Sequence, residues 1–162
     1  IAGVDVVTEL LSLAEKEQLT VAVIGGRGYG QLLPKVYPRL SIVWNEAYQD
    51  VRQPAAAEEA ALLAWLKAKQ PKVIFVAFGA PMQEIWVAQH RTILDQLKPR
   101  VVMVVGGSFD FLLGKVSRAP AWMQRAGLEW LYRLCRQPWR WRRQLVLLTC
   151  VKKVREDYYS AS

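Results

Sequence analysis

Two short runs in this sequence set polar side chains directly behind a glycine turn. In "FGAPMQEIW" (78–86), Gly79 and Pro81 precede Gln83 and Glu84, which fall in the first turn of a helix. In "VGGSFDFLLGK" (105–115), Gly106 and Gly107 precede Asp110. The first turn of a helix leaves backbone N–H groups without intrahelical partners, so with Gln83 it suits a sugar hydroxyl or a phosphate oxygen. Paired glycines let a ligand come close to the backbone, and Asp110 is a hook for a ribose or a base. A plainer reading stands beside this one: Glu84 complements the helix dipole and Asp110 caps a turn. A third cluster, "GGRGYG" (25–30), lacks the GxGxxG spacing from either Gly25 or Gly26, which disfavours NAD. Lys115 is followed by no Ser or Thr, and six residues separate Gly107 from Gly114, so "GGSFDFLLGK" is no Walker A loop and ATP hydrolysis is disfavoured.

The other chemically loaded stretch is "GLEWLYRLCRQPWRWRR" (127–143), with five arginines and three tryptophans. Pro138 suits the first position of a helix and not its interior, so a helix ending near Arg136 and another starting near Pro138 are expected. Arg140, Arg142 and Arg143 then crowd the positive end of the second helix, where cations need a compensating anion. Arg133, Arg136, Arg140 and Arg143 follow a 3-4-3 spacing that aligns them across a shallow break. The plainer reading is an exposed basic face. Trp139 and Trp141 read equally as core and as indoles seated at lipid headgroups.

Charge divides the chain. Residues 1–114 hold 11 Lys/Arg against 11 Asp/Glu, and residues 115–162 hold 11 against 3, so the net +8 lies entirely in the last 48 residues. A basic end of this kind expects a polyanion such as nucleic acid, an anionic membrane surface or a phosphorylated ligand. Cys135 and Cys150 form no CxxC, so neither a disulfide framework nor a zinc site is expected, and a reducing compartment is the default. The N-terminus carries no pattern of a signal peptide. "QLVLLTCV" (144–151) is far short of the roughly 20 apolar residues that span a bilayer, so the chain is expected to lie on a membrane without crossing it.

The elements that must hold these groups alternate regularly. A helical pattern over 4–16 leads into the β run "TVAVIGG", a helix-like segment at 29–37 into "LSIVW" at 40–44, and "AAAEEAALLAWLKAKQ" into a stop at Pro71. "KVIFVAF" and "RVVMVVGG" flank one helix, "MQEIWVAQHRTILDQL", with His90, the only histidine, inside it as a packed or solvated helix residue. Strands apolar on both faces that alternate with helices predict a parallel sheet covered on two sides. The fold expected is α/β, a Rossmann-like parallel sheet flanked by helices, with an α/β domain at 1–126 and a basic, Trp-rich helical appendage at 127–162. Such sheets place ligands at the carboxyl ends of their strands, where all three glycine clusters fall.

In that order, "FGAPMQEIW", "VGGSFDFLLGKVSRAP" and "GLEWLYRLCRQPWRWRR" resemble the WecG/TagA/CpsF family of bacterial glycosyltransferases over roughly residues 3–145. The resemblance implies inverting transfer of an N-acetylmannosamine-type sugar, with no metal or other cofactor, from a UDP-sugar to an undecaprenyl-diphosphate-linked acceptor. The setting it implies is the cytoplasmic face of the bacterial membrane, with the protein bound peripherally and building cell-wall or surface polysaccharide. It assigns diphosphate contacts to Arg133, Arg140 and Arg143, and less directly to Arg118 of "RAP". Gly79, Pro81, Gln83, Glu84, Gly106, Gly107 and Asp110 are the substrate-binding candidates. The family pattern also includes an Asp-Gly turn, whose aspartate acts as base, ahead of the element that here opens as Gly3 and Asp5. This chain is therefore expected to lack that base and to turn over little, with Asp110 the first substitute to test. A UDP-binding or scaffold protein docked on the membrane without catalysis is the main alternative. A nucleic-acid-binding module is disfavoured because the cations adjoin a long apolar stretch. Whether the chain forms a homo-oligomer is left open.

Overall fold

The computed structural model describes residues 3–117 and 119–136. Arg118, Pro138, Trp139, Arg140, Trp141, Arg142, Arg143 and the apolar run 144–151 lie outside the described residues. The chain divides into two compact units, Ile1–Val116 and Ser117–Ser162.

The first unit is built on four strands, β1 (Val21–Gly25), β2 (Ile42–Asn45), β3 (Val73–Ala77) and β4 (Val101–Val104), in the order β2-β1-β3-β4. Every pair is parallel; Val21 lies opposite both Ile42 and Val73, and Val76 opposite Val104. Strand residues alternate between two cores, as a period of two requires. Val21, Val23, Val73 and Phe75 face one cluster, while Ala22, Ile24, Ile74 and Val76 face the other. All five residues of β1 are buried, and so are the first four of β3, which is why these strands read as uninterrupted apolar runs.

Helices cover both faces. Helix α1 (Gly3–Lys16) buries Val4, Val7, Leu11 and Ala14 at 3-4-3 spacing, and the last three join the first cluster together with Leu33 of α2 (Leu33–Val36) and Phe109 of α6 (Ser108–Leu112). Helix α3 (Ala56–Lys69) buries Leu62 and Leu66 in the second cluster, as do Trp86 of α4 (Met82–Gln89) and Leu94 and Leu97 of α5 (Arg91–Leu97). Helix α3 has Glu58 and Glu59 in its first turn, Lys67 and Lys69 in its last, and stops at a left-handed Gln70 before Pro71. Leu66 is fully buried, and its truncation to Ala would cost about 2–5 kcal/mol.

Two expectations are corrected. The helix-like segment at 29–37 is a series of turns with only Leu33–Val36 helical. The single helix after β3 is two, α4 and α5, hinged at His90, whose backbone leaves helical geometry at φ −99° and ψ 12°. His90 is thus not a mid-helix residue. Its ring reaches back to the carbonyl oxygen of Trp86 and across to Glu59.

In the second unit, α7 (Ala121–Arg125) and α8 (Glu129–Arg136) pack on one another, with Gly127 turning the chain between them at φ 70°. No helix among the described residues is long and apolar enough to cross a membrane.

Candidate functional site

The chain runs from β1 through α2 to β2 on one face of the sheet, then crosses back over β1 through α3 on the other face to reach β3. Two connections that leave in opposite directions open a crevice beyond the carboxyl ends of β1 and β3. A cavity of about 310 Å³ lies there, large enough for a small organic ligand. Gly25, Gly26 and Arg27 line it from the end of β1, Glu46 and Tyr48 to Val51 from the loop after β2, and Ala77 and Phe78 from the end of β3.

The glycines of β1 answer to packing. Gly25 and Gly26 adopt φ of 87° and 74°, and a Cβ on them would stand 2.8 Å from the Phe78 ring and 2.0 Å from the Tyr29 ring. Trp44 of β2 donates its indole N–H to the carbonyl oxygens of both residues, at 2.9 and 3.2 Å. Arg27 then spans the mouth of the crevice, its Nε 3.3 Å from Glu46 Oε1 and its Nη2 donating to the Gln49 carbonyl at 2.7 Å.

The loop after β2 is pinned by the first turn of α3. Glu58 accepts from the backbone N–H groups of Gln49 and Ala55, at 3.0 and 3.1 Å. Glu59 accepts from the Tyr48 hydroxyl at 2.6 Å and contacts His90 Nε2 through its other oxygen. The buried Trp86 indole donates to the Tyr48 oxygen at 2.6 Å. Burial first, and the bond to Glu59 second, push the Tyr48 hydroxyl well above its ordinary range, so it stays protonated at neutral pH. Phe78 packs on Tyr48 and Trp86 at centroid distances of 5.5 and 5.9 Å, and Trp86 stacks on His90 at 4.4 Å.

The neighbouring strand ends, β3 and β4, carry the residues singled out in the sequence. Gln83 is 6% exposed. Its Oε1 accepts from the N–H of Gly79 at 3.2 Å and of Gly106 at 2.9 Å, and its Nε2 donates to Glu84 at 2.9 Å. The Gln83 side chain is therefore a strut between two glycine loops. Glu84 and Pro81 are exposed, and the Ala80–Pro81 peptide is cis. Gly106 has φ 51°, and Gly107 caps α6. Asp110 accepts from the Tyr29 hydroxyl at 2.8 Å, and Lys115 Nζ lies 4.7 Å from the centre of the Tyr29 ring and donates to the Arg27 carbonyl at 2.7 Å. These contacts join the turn after β4 to the loop after β1.

The structure thus gathers Gly79, Gln83, Glu84, Gly106, Gly107 and Asp110 at the β3 and β4 ends, beside the crevice and not in its walls. Sequence reasoning missed the walls themselves. Arg27 sat inside a glycine cluster weighed only for its spacing, and Tyr48 in a loop, "NEAYQD", whose single aromatic was the available signal. In the second unit Arg133 lies in α8, and Trp122 on α7 is 64% exposed. Among the described residues no group of His, Cys, Asp and Glu is placed to hold a metal ion.

Comparison with known proteins fits this architecture. The model of the glycosyl transferase WecG/TagA/CpsF family matches residues 1–158. A curated relative, the N-acetylglucosaminyldiphosphoundecaprenol N-acetyl-beta-D-mannosaminyltransferase of Bacillus subtilis (strain 168), is 37% identical over 152 residues, which cover 90% of this chain and 55% of the relative. The chain spans about half the length of that relative. With a match over nearly all of its residues, the chain belongs to the glycosyl transferase WecG/TagA/CpsF family.

Proposed function

We propose that this chain serves a glycosyltransferase reaction in which an N-acetylmannosamine-like or related sugar passes from a UDP-sugar to an undecaprenyl-diphosphate-linked acceptor with inversion. The crevice at the switch between β1 and β3 carries this reading, because parallel sheets of this order receive nucleotides there. We assign the base to the wall formed by Phe78 and, behind it, the largely buried Tyr48, and the sugar and diphosphate to the glycine turns at the β3 and β4 ends with Gly79, Gln83, Gly106, Gly107 and Asp110; Pro81, Glu84 and Arg118 are assigned further contacts with the substrate.

In the reaction the bond from the anomeric carbon to the UDP oxygen breaks, and its electron pair leaves on the diphosphate. A bond to the acceptor oxygen forms on the opposite face, and the acceptor hydroxyl gives up its proton to a base. Charge develops on the leaving diphosphate, and guanidinium groups stabilise it best because they bind phosphate oxygens in pairs. Arg133, Arg140 and Arg143 are assigned that role. Asp110 is the first carboxylate to test as base, with its Oδ1 already accepting from Tyr29.

An undecaprenyl-diphosphate-linked acceptor is anchored in a membrane, and we propose that the protein works peripherally at the cytoplasmic face of the bacterial one. The exposed Trp122 and the excess of cations after residue 115 suit the headgroup region of an anionic leaflet, attached without a spanning helix. The chain should sediment with anionic vesicles and be released by salt.

Calorimetric titration with UDP tests the site. Weak, saturable heat from the folded chain is expected; a folded chain that gives none would remove the nucleotide from the crevice. Vesicle binding that is indifferent to anionic lipid would remove the membrane.

A further inference from the structure

His90 and Glu59 have no place in that reading, yet with Trp86 they form one polar cluster around Tyr48, drawn from α3, α4, the α4–α5 hinge and the loop after β2. The hydrogens in it can be counted. The Trp86 carbonyl oxygen lies 2.8 Å from His90 Nδ1 and can only accept, so Nδ1 carries a hydrogen. His90 Nε2 then faces Glu59 Oε1. With Nδ1 protonated, a bare Nε2 would set its lone pair against those of the carboxylate, and a proton held between the two removes that clash. Glu59 Oε2 accepts the only hydrogen of the Tyr48 hydroxyl, and the Tyr48 oxygen accepts the Trp86 N–H. The hydroxyl is thereby committed to protein partners, while Tyr48 itself lines the crevice.

We propose that Glu59 and His90 are a proton-sharing pair that positions Tyr48, so that the crevice is backed there by an oriented, largely buried ring packed under Phe78 and not by a free hydroxyl donor. The part that concerns a nucleotide rests on the reading above; the part that concerns Tyr48 does not. His90 and Glu59 are positioning residues, since both act through Tyr48. The mechanism is a short chain of bonds. The shared proton fixes the carboxylate, the carboxylate fixes the hydroxyl, and the hydroxyl with the Trp86 N–H fixes the ring against Phe78. Glu58, the neighbouring carboxylate, is occupied with Gln49 and Ala55, and Arg91, the neighbouring cation, faces Asp95 on its own helix. Neither competes for the shared proton.

The test uses the full chain and two pairs of variants. His90→Leu and Glu59→Leu remove the proton or its acceptor. His90→Gln keeps an N–H toward Glu59, and Glu59→Gln keeps an acceptor for Tyr48 while offering an N–H to the unprotonated Nε2. Measured by UDP titration, the leucine variants are expected to bind about tenfold more weakly and the glutamine variants within about threefold of the parent. Without ligand, the Tyr48 ring resonances should move in both leucine variants and return in both glutamine variants. Because His90 is the only histidine, its ring nitrogens can be followed alone by nitrogen NMR, and a slowly exchanging proton toward Glu59 is expected in the parent. Tyr48 resonances unchanged in a folded leucine variant, or a bare Nε2 in the parent, would overturn the proposal. Equal losses in leucine and glutamine variants would also overturn it, by reducing the pair to bulk packing. If a leucine variant does not fold, the glutamine variants and the parent's ring signals still decide. A parent that binds no UDP but shows the coupled Tyr48 and His90 signals would sink the nucleotide reading and leave the pair standing.

Discussion

The two halves of the sheet's carboxyl edge are held by different means. At the β3 and β4 ends a single amide, Gln83, collects two backbone N–H groups, so glycine loops are fixed with few side chains. At the β1 and β2 ends large side chains do the holding, with Arg27, Trp44, Tyr48, Glu58 and Glu59 bonded across loops, and there a cavity opens. Backbone placed by one strut spends the Gly79 and Gly106 N–H groups on Gln83 and leaves partly exposed glycine that a ligand can approach closely; loops braced by bulky side chains leave a hollow with walls. A nucleotide sugar needs both, a surface for phosphate and a slot for the base.

Along this edge of the sheet, the largest effect of a single change falls on the strut. Gln83→Leu leaves the Gly79 and Gly106 N–H groups without their acceptor in a part-buried setting, and should lower stability by about 2–4 kcal/mol. Denaturant unfolding measures this, and a loss below about 1 kcal/mol would mean the two loops hold themselves. Next comes the link between the halves. Tyr29→Phe removes the bond to Asp110 while keeping the ring under Lys115, and should cost about 1 kcal/mol, read from the same unfolding curves.

Smaller still is the latch at the crevice mouth. Arg27 is largely exposed, so Arg27→Ala should change stability by less than about 0.5 kcal/mol. Its position across the mouth predicts weaker UDP binding with a reduced dependence on salt; unchanged affinity at low salt would place the ligand elsewhere. An effect of similar size has the opposite sign. Ala47 sits at φ 72° in the loop before Tyr48, held by the Asn45 side chain that accepts its N–H at 2.8 Å. Ala47→Gly relieves that left-handed conformation and should stabilise the chain by about 0.5 kcal/mol in thermal unfolding.

The sheet was legible because burial on both faces turns β1 and β3 into plain apolar runs, and the α3 boundaries were legible because Pro71 and the end charges mark them. The break at His90 was not, since "MQEIWVAQHRTILDQL" holds no Gly or Pro to mark a stop, and the ring's contact with Glu59 spans 31 residues. For the same reason the site was read by halves. Glycines beside Gln83 and Asp110 announce themselves within one short window. Tyr48 lines a cavity only because α3 returns Glu58 and Glu59 to its loop and the chain reverses across β1, and both facts are tertiary.

Where a uridine nucleotide sits is read most directly by chemical-shift mapping with UDP on the isotope-labelled chain. Perturbations are predicted at Gly25, Gly26, Tyr48 and Phe78 and, more weakly, at Gly79 and Gly106. Saturating shifts confined to residues away from the β1 and β3 ends would contradict it.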